Sequence, residues 1–266
     1  MSRPFQLALL QMRVEGGEPA RNLARAEALI RDAAAGGAEC VVLPEAMDVG
    51  WTHPASRGRA EPIPDGEPCR RLAAAAREHG IYVCAGLTER DGGRVFNSAV
   101  IIDRQGQLIL KHRKVNELDI GQPFYDRGDR LNVCHTELAS FGLMICADGF
   151  AEDRVLSRSL GHLGAEVILS PCAWAVPAEH DNAKEPYGDL WRRSYIPVAR
   201  EFSLWIAGVS NVGWITGGPW KGRKTIGCSL LIGPQGEEVL QGPYGVDAEA
   251  NLQVPVTPVP RPARRP

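Results

Sequence analysis

The sequence alternates short apolar strands with helices that end at glycine, and this order constrains the fold more than any other feature. Residues 5–11 form an apolar segment of strand length, and residues 20–35 form an Ala- and Arg-rich helix that stops at Gly36-Gly37. Residues 40–43 form the next apolar strand. Glycine commonly ends helices, and repeated strand–helix–strand order predicts packed layers of helices and sheets, an α/β fold.

Further helices are predicted along the rest of the chain. The segment 69–79 ends at Gly80, and the segment 151–163 ends at Gly164. A last helix is predicted over 189–202, directly before an apolar strand. This order favours mixed α/β structure throughout, but it does not fix the number of layers.

Length and composition indicate a globular protein. With 266 residues, 44% of them hydrophobic and 23% charged, the chain is long enough to bury a sizeable core. We predict one domain over residues 1–252. Residues 253–266 are rich in Pro and Arg, and are predicted to form an extended or disordered tail.

Charge and cysteine content exclude several classes of partner. A net charge of −2 provides no basic surface for nucleic acid or an anionic membrane. No apolar run is long enough to span a bilayer, and no signal-peptide pattern precedes the first strand. The seven cysteines are scattered without metal-like spacing. We therefore expect a cytoplasmic protein with reduced thiols that uses no metal or cofactor and acts on a small molecule.

Three reactive side chains stand at the ends of predicted strands. Cys146 ends an apolar run that turns into a helix-like stretch, and Glu45 and Lys114 each follow a strand of their own. A thiol at such an elbow, near a helix N-terminus, is expected to have a lowered pKa and to act as a nucleophile. A carboxylate can take its proton, and an ammonium can stabilise an oxyanion. Each residue alone is equally typical of a structural role.

Several segments together resemble the nitrilase superfamily of carbon–nitrogen hydrolases. Their order and separation match the three boxes that carry the catalytic residues of that family, and further matches follow. The matching segments are 43–45, 113–114, 142–148, 164–171, 210–213 and 227–239. The resemblance extends over nearly the whole chain, and it implies a four-layer α-β-β-α sandwich that hydrolyses a non-peptide carbon–nitrogen bond.

The three side chains suggest a mechanism. Glu45 takes the proton of Cys146, whose sulfur attacks the substrate carbonyl and forms a thioester. Lys114 and the backbone N–H of Ala147 stabilise the oxyanion, and water activated by Glu45 releases the acid. An amine acceptor in place of water would make the same site an acyltransferase.

A second acidic residue usually follows the lysine in this family. Glu117 is the candidate here, although its spacing from Lys114 is shorter than in many members. Asp119 and Asp126 stay open as alternatives, and Glu117 fits an ordinary loop carboxylate equally well.

The residues after the nucleophile depart from the family pattern. Ala147 stands where many amidases carry an aromatic or polar residue, and the arginine that follows in amidases is absent. The Trp-Glu pair usual in nitrile-hydrolysing members is absent too. The resemblance therefore favours an amide or N-carbamoyl substrate over a nitrile. A catalytically silent binding protein on this fold is disfavoured, because all three catalytic residue types are present.

Two loops are predicted to bind the substrate, because each mixes aromatic and polar side chains as pockets do. The first loop contains Trp51 and His53. The second contains Trp174, His180 and Tyr187. Packing in the core is the alternative role for the tryptophans, and a surface loop position is the alternative for the histidines.

A homodimer or an assembly of dimers is expected. The resemblance implies that two sandwiches pair through helical faces near Cys146 and over residues 189–202. The latter segment carries more apolar side chains than one intrachain face obviously needs. These are Leu190, Trp191, Tyr195, Ile196 and Val198. The alternative is that Pro197 bends the helix against its own sheet and that these side chains all belong to the core.

Overall fold

Fifteen strands and five helices make up the structure, a computed structural model that describes residues 3–260. The strands are β1 (Phe5–Gln11), β2 (Cys40–Val42), β3 (Tyr82–Asp91), β4 (Arg94–Ile102), β5 (Leu108–Arg113), β6 (Val133–His135), β7 (Ser140–Leu143), β8 (Val167–Cys172), β9 (Ala175–Val176), β10 (Trp205–Ser210), β11 (Val212–Trp214), β12 (Lys224–Ile226), β13 (Leu230–Ile232), β14 (Glu238–Gln241) and β15 (Ala250–Val256). The helices are α1 (Pro19–Ala35), α2 (Ser56–Arg59), α3 (Glu67–His79), α4 (Val155–His162) and α5 (Asp189–Phe202). Two 3-10 turns, Cys146–Phe150 and Glu152–Arg154, precede α4.

The strands form two large sheets and a small one. The first sheet has the order β15-β1-β2-β3-β4-β5, and the second has the order β14-β13-β10-β8-β7-β6. Strands β1, β2 and β3 are parallel, as are β7, β8 and β10. Strands β11, β12 and β9 form the small sheet. Parallel strands are buried on both faces, which explains why their sequences are continuous apolar runs.

The two large sheets face each other, and helices cover their outer faces. Alternation along β1 shows this arrangement directly. Phe5, Leu7 and Leu9 belong to the core shared with the second sheet, whereas Ala8 and Leu10 belong to the core under α1 and α3. Helices α4 and α5 pack on the second sheet. The predicted α/β fold with a four-layer α-β-β-α sandwich is confirmed.

The observed helices differ from the sequence expectations mainly at their N-termini. The α5 bounds match the prediction, and α3 begins two residues earlier than predicted, at Glu67. The helix predicted from residue 151 begins only at Val155. Asp153 and Arg154 have φ values of 51° and 56°, and this left-handed conformation interrupts the helix.

The predicted tail begins inside a strand. Strand β15 pairs antiparallel with β1 from Ala250 to Val256, so residues 253–256 belong to the first sheet. Val254 and Val256 are buried in its core, which gives this segment a reason to be ordered despite its prolines. The domain therefore extends at least four residues beyond the predicted boundary at 252. Residues 261–266 of the tail lie outside the described residues.

All seven cysteines are free thiols, as the sequence predicted. None of the helices described between residues 3 and 260 has the length and apolar character that crossing a bilayer requires. The cytoplasmic location and the independence from metals and cofactors stay predictions.

Candidate active site

Strand ends in both large sheets bring the predicted catalytic residues to one cavity. Glu45 follows β2 and Lys114 follows β5 in the first sheet, while Cys146 follows β7 in the second. Strand β3 passes very close to the first of these segments, because a Cβ atom at Gly86 would lie 2.6 Å from the Cα of Glu45. A larger residue at Gly86 would displace the carboxylate, so the close approach requires glycine.

Lys114 is the centre of a buried polar network. Its Nζ donates to Glu45 Oε1 at 2.8 Å and to Glu117 Oε1 at 3.3 Å. Asn97, in β4, donates through Nδ2 to Glu45 Oε1 at 2.6 Å and to Glu117 Oε2 at 3.3 Å. One ammonium and one amide thus hold both carboxylates in place.

The network keeps Lys114 positively charged. Burial favours the neutral amine, but Glu45 and Glu117 outweigh burial and raise the pKa of Lys114 well above its ordinary value. Burial also raises the pKa of Glu117, against the opposing effect of Lys114. A permanently charged ammonium at the floor of a cavity can stabilise an oxyanion that forms beside it.

Among the three acidic candidates after Lys114, Glu117 is the one that contacts the ammonium. Asp126 Oδ2 instead accepts a hydrogen bond from the Val95 backbone N–H at 3.0 Å, which ties the loop to β4. Asp119 Oδ1 accepts from Gln122 Nε2 at 3.1 Å. Both aspartates therefore have local structural partners outside the network.

Cys146 occupies a tight turn between strand and 3-10 turn, with a positive φ of 43°. The residue is 9% exposed. Burial, with contributions from Cys172 and Glu45, raises the pKa of the thiol well above its usual value, and Lys114 only partly opposes this. The expectation of a lowered thiol pKa was wrong, because burial outweighs any effect of one short turn. The thiol is protonated at neutral pH and needs a base to become a nucleophile.

Asp148 ties the Cys146 turn to the Lys114 segment. Its carboxylate accepts hydrogen bonds from the backbone N–H groups of Ile145 at 2.9 Å, Val115 at 3.1 Å and Asn116 at 2.7 Å. His112 Nε2 lies 2.8 Å from Asp148 Oδ2. Burial opposes the charged carboxylate, but His112 and the N–H donors outweigh burial and lower the pKa of Asp148. Cys146 and Lys114 are thus positioned by one buried charge.

A cavity of about 250 Å³ opens above the three catalytic candidates. Aromatic and aliphatic side chains form most of its wall. Its lining residues are Glu45, Trp51, Lys114, Leu118, Cys146, Phe150, Ala173, Trp174, Ala175, Tyr187, Leu190, Trp191 and Trp220. Within residues 3–260, no three or more His, Cys, Asp or Glu side chains are grouped so that they could hold a metal ion.

Three of the five predicted substrate-binding residues line this cavity, namely Trp51, Trp174 and Tyr187. His53 lies instead beside a smaller cavity of about 30 Å³, and its Nδ1 accepts a hydrogen bond from the Ala55 N–H at 3.2 Å. His180 packs near Tyr244, with ring centroids 6.0 Å apart, and does not line the substrate cavity. Neither histidine lines the cavity that contains Cys146, so a role of His53 or His180 in binding substrate stays a prediction.

Several residues of the site were not identified from the sequence. Trp191, Tyr195 and Val198 were assigned to a dimer face, but all three are buried within the chain and Trp191 lines the cavity. Their spacing of three or four residues on α5 indicates a buried helix face, but it does not show whether the chain's own sheet or a partner covers that face. Asn97 also had a signal, because it is a polar residue inside an apolar strand.

Comparisons with known proteins identify the family of this chain. Residues 6–250 match the family described as carbon-nitrogen hydrolase. The chain is 33% identical over 236 residues to a nitrilase of Pyrococcus abyssi, covering 87% of this chain and 82% of that protein. It is also 34% identical over 181 residues to the omega-amidase NIT2 of Mus musculus, and this match spans 64% of each chain.

Solved structures show the same fold. A carbon-nitrogen hydrolase from Helicobacter pylori G27 matches with a TM-score of 0.84 and 22% identity, covering 96% of this chain and 89% of that one. A double mutant of the amidase from Nesterenkonia sp. AN1, in complex with acrylamide, matches with a TM-score of 0.78 and 19% identity, covering 95% and 90% of the two chains.

The sandwich and the family match define an enzyme that hydrolyses carbon–nitrogen bonds. The chain belongs to the carbon–nitrogen hydrolase family, and the predicted membership of the nitrilase superfamily is confirmed.

Proposed function

We propose that the protein hydrolyses an amide or N-carbamoyl bond of a small molecule through a thioester on Cys146. The observation that supports this proposal most is the network at the cavity floor. Lys114 contacts Glu45 and Glu117 together in the cavity that Cys146 also lines. A thiol, a carboxylate and an ammonium are the groups that acyl transfer to sulfur requires.

The proposed reaction begins with proton transfer from the Cys146 thiol to Glu45. The sulfur attacks the carbonyl carbon, and Lys114 together with the Ala147 N–H stabilises the oxyanion. Glu45 then gives its proton to the departing amine, which leaves the acyl group on sulfur. Water, deprotonated by Glu45, attacks the thioester, and collapse of the second intermediate releases the acid and returns the proton to the thiol.

The usual rate contributions of a general base and of an oxyanion donor are consistent with the roles proposed for Glu45 and Lys114. General base catalysis contributes ~10²–10⁴-fold, and one oxyanion donor contributes ~10²–10³-fold. The raised pKa of Cys146 makes the base necessary. Asn97 and Glu117 are positioning residues in this proposal, since both hold the network that contains Glu45 and Lys114.

Incubation with small amides and N-carbamoyl compounds is expected to add one acyl group to the protein. Intact mass spectrometry of acid-quenched samples measures the adduct, and peptide mapping should assign it to Cys146 among the seven cysteines. An adduct on another cysteine, or turnover without any adduct under single-turnover conditions, would contradict the thioester.

The acceptor that reacts with the Cys146 thioester distinguishes a hydrolase from an acyltransferase. Added amines should leave acid as the main product if water is the natural acceptor. Saturable formation of the new amide at millimolar amine or below would indicate an acyltransferase instead.

We also propose a homodimer, supported by apolar side chains exposed on the outer helical layer. Within the described residues, Val155 is 52% exposed and Leu163 is 51% exposed, at the two ends of α4. Exposed apolar groups on one surface favour association, and two-fold dimers are the commonest oligomers. Light scattering at micromolar concentration should give twice the chain mass of 28.9 kDa. The chain mass itself, with activity retained on dilution, would overturn the dimer.

A further inference from the structure

The cavity above Cys146 has a charged floor and an apolar aromatic wall. Trp174 and Trp191 stack with centroids 4.6 Å apart and an interplanar angle of 21°. Phe150 packs on Trp191 at 5.4 Å, and Trp220 meets Trp51 edge to face at 5.2 Å. This wall faces whatever acyl chain extends away from the reacting carbonyl.

Few polar atoms of the wall are open to a substrate. The Nε1 atoms of Trp51 and Trp174 are buried, although they have no hydrogen-bond partner among the described residues. Trp191 Nε1 donates to the Tyr187 hydroxyl at 2.9 Å, so both polar tips satisfy each other. One face of Trp174 is covered by Trp191, and the Lys114 ammonium lies 5.2 Å from the Trp51 ring centroid. The wall therefore offers apolar area, while its ring faces are largely taken by other groups.

Among the described residues that line this cavity, no cation is free to pair with a charged acyl chain. Among the described lining residues, Glu45 and Lys114 are the charged ones, and they bind each other at 2.8 Å. Arg192 follows Trp191 on α5, but its guanidinium is bound to Glu238, with Nε 2.6 Å from Oε2. A carboxylate on the substrate would thus lose its water without gaining a partner, which disfavours its binding strongly.

We infer that the substrate is the amide of a neutral acid whose acyl chain carries an aromatic ring or an apolar group of similar size. The inference rests on the proposed function and specifies its substrate class. Half-amides of dicarboxylic acids carry a free carboxylate on the acyl chain, and N-carbamoyl amino acids carry one on the departing amine. No cation among the described lining residues is free to pair with either. The cavity of about 250 Å³ is large enough, since a dry apolar cavity of roughly 150 Å³ already holds benzene.

Two amides of equal chain length test the inference. 3-Phenylpropanamide and succinamate differ only in a phenyl ring against a carboxylate. The kcat/KM of the wild-type enzyme should be at least about a hundredfold larger for 3-phenylpropanamide. 4-Aminobutanamide, which carries an ammonium on a chain of similar length, should also be a poor substrate.

A cation placed at the rim should change this preference. Leu190 lines the cavity and is 46% exposed, so Leu190→Lys adds an ammonium there without burying it. The kcat/KM for succinamate should rise about fivefold, and the preference for 3-phenylpropanamide should fall accordingly. Val239→Lys is the matched control, because Val239 is 39% exposed on β14 and does not line the cavity.

Each outcome decides a different claim. The expected preference, reduced by Leu190→Lys but not by Val239→Lys, supports the inference. Succinamate or 4-aminobutanamide as the better wild-type substrate, with an acyl group mapped to Cys146, overturns the substrate class and leaves the thioester mechanism standing. Turnover that leaves no acyl group on Cys146 with any amide overturns the proposed function, and the inference with it.

Discussion

Replacing Cys146 with alanine is expected to lower kcat by at least about 10⁴-fold, because no other group can form the thioester. The fold should survive. The thiol occupies the floor of an open cavity, so removing it leaves little new void and costs about 1 kcal/mol or less. For a chain of this size such a loss shifts the melting temperature by about 2–4 °C. Product formation and thermal unfolding, measured on the same preparation, check both parts.

Cys134→Ala is the matched control for this substitution. Cys134 lies on β6, and burial raises the pKa of its thiol to about 11. It does not line the cavity, so the variant should retain kcat close to that of the wild type. A Cys146→Ala variant with wild-type kcat would show that the covalent mechanism is wrong.

The three proposed catalytic residues were recognisable in the sequence because each stands where a predicted strand ends. A strand buried on both faces has no reason to be followed by a charge unless the next residue reaches a surface or a cavity. Glu45 and Cys146 follow such strands, whereas Lys114 follows β5, a partly buried strand at the edge of the first sheet. All three residues line one cavity. The strand ends alone left a structural role open for each residue, and the order and separation of the matching segments distinguished the two roles.

The protonation state of the Cys146 thiol was not predictable from its position at a strand-to-helix turn alone. The sequence shows that Cys146 precedes a helix-like stretch, but it does not show how deeply two sheets bury that point. Burial dominates and raises the thiol pKa. The hydrogen bonds of the Asp148 carboxylate were equally unpredictable from local sequence. Its four partners come from the segment 112–116 and from residue 145, which meet only in the folded chain.

For the aromatic wall of the cavity, the prediction was wrong at Trp191. The sequence predicts a dimer face that includes Trp191, because a sequence does not show which surface covers an apolar helix face. The face contacts either its own sheet or a partner, and helical spacing is identical in both cases. The chemistry of His53 and His180 suggests a binding role, yet neither lines the cavity, and His53 accepts a hydrogen bond from Ala55 in its own loop. Loop residues depend on the path of the loop, which composition does not determine.

Lys114→Met is expected to impair both catalysis and stability. The methionine fills a similar volume but removes the ammonium that lies between Glu45 and Glu117. Both carboxylates are almost fully buried, so they would repel each other without compensation. Breaking a buried charge network in this way lowers the free energy of unfolding by about 3–5 kcal/mol. Loss of the oxyanion donor separately lowers kcat by ~10²–10³-fold. Denaturant unfolding and steady-state kinetics measure the two effects separately.

The stability loss caused by Lys114→Met should become smaller as pH falls. Burial already raises the pKa of Glu117 in the wild type, and removing the Lys114 charge raises it further. A carboxyl group whose pKa is higher in the folded state than its value of about 4.3 in the unfolded chain binds protons preferentially when folded. The deficit of the variant should therefore shrink as pH falls from 8 to 5. Lys221→Met, at an exposed loop position, should cost less than about 0.5 kcal/mol at every pH. A deficit that grows as pH falls would contradict the buried network as its cause.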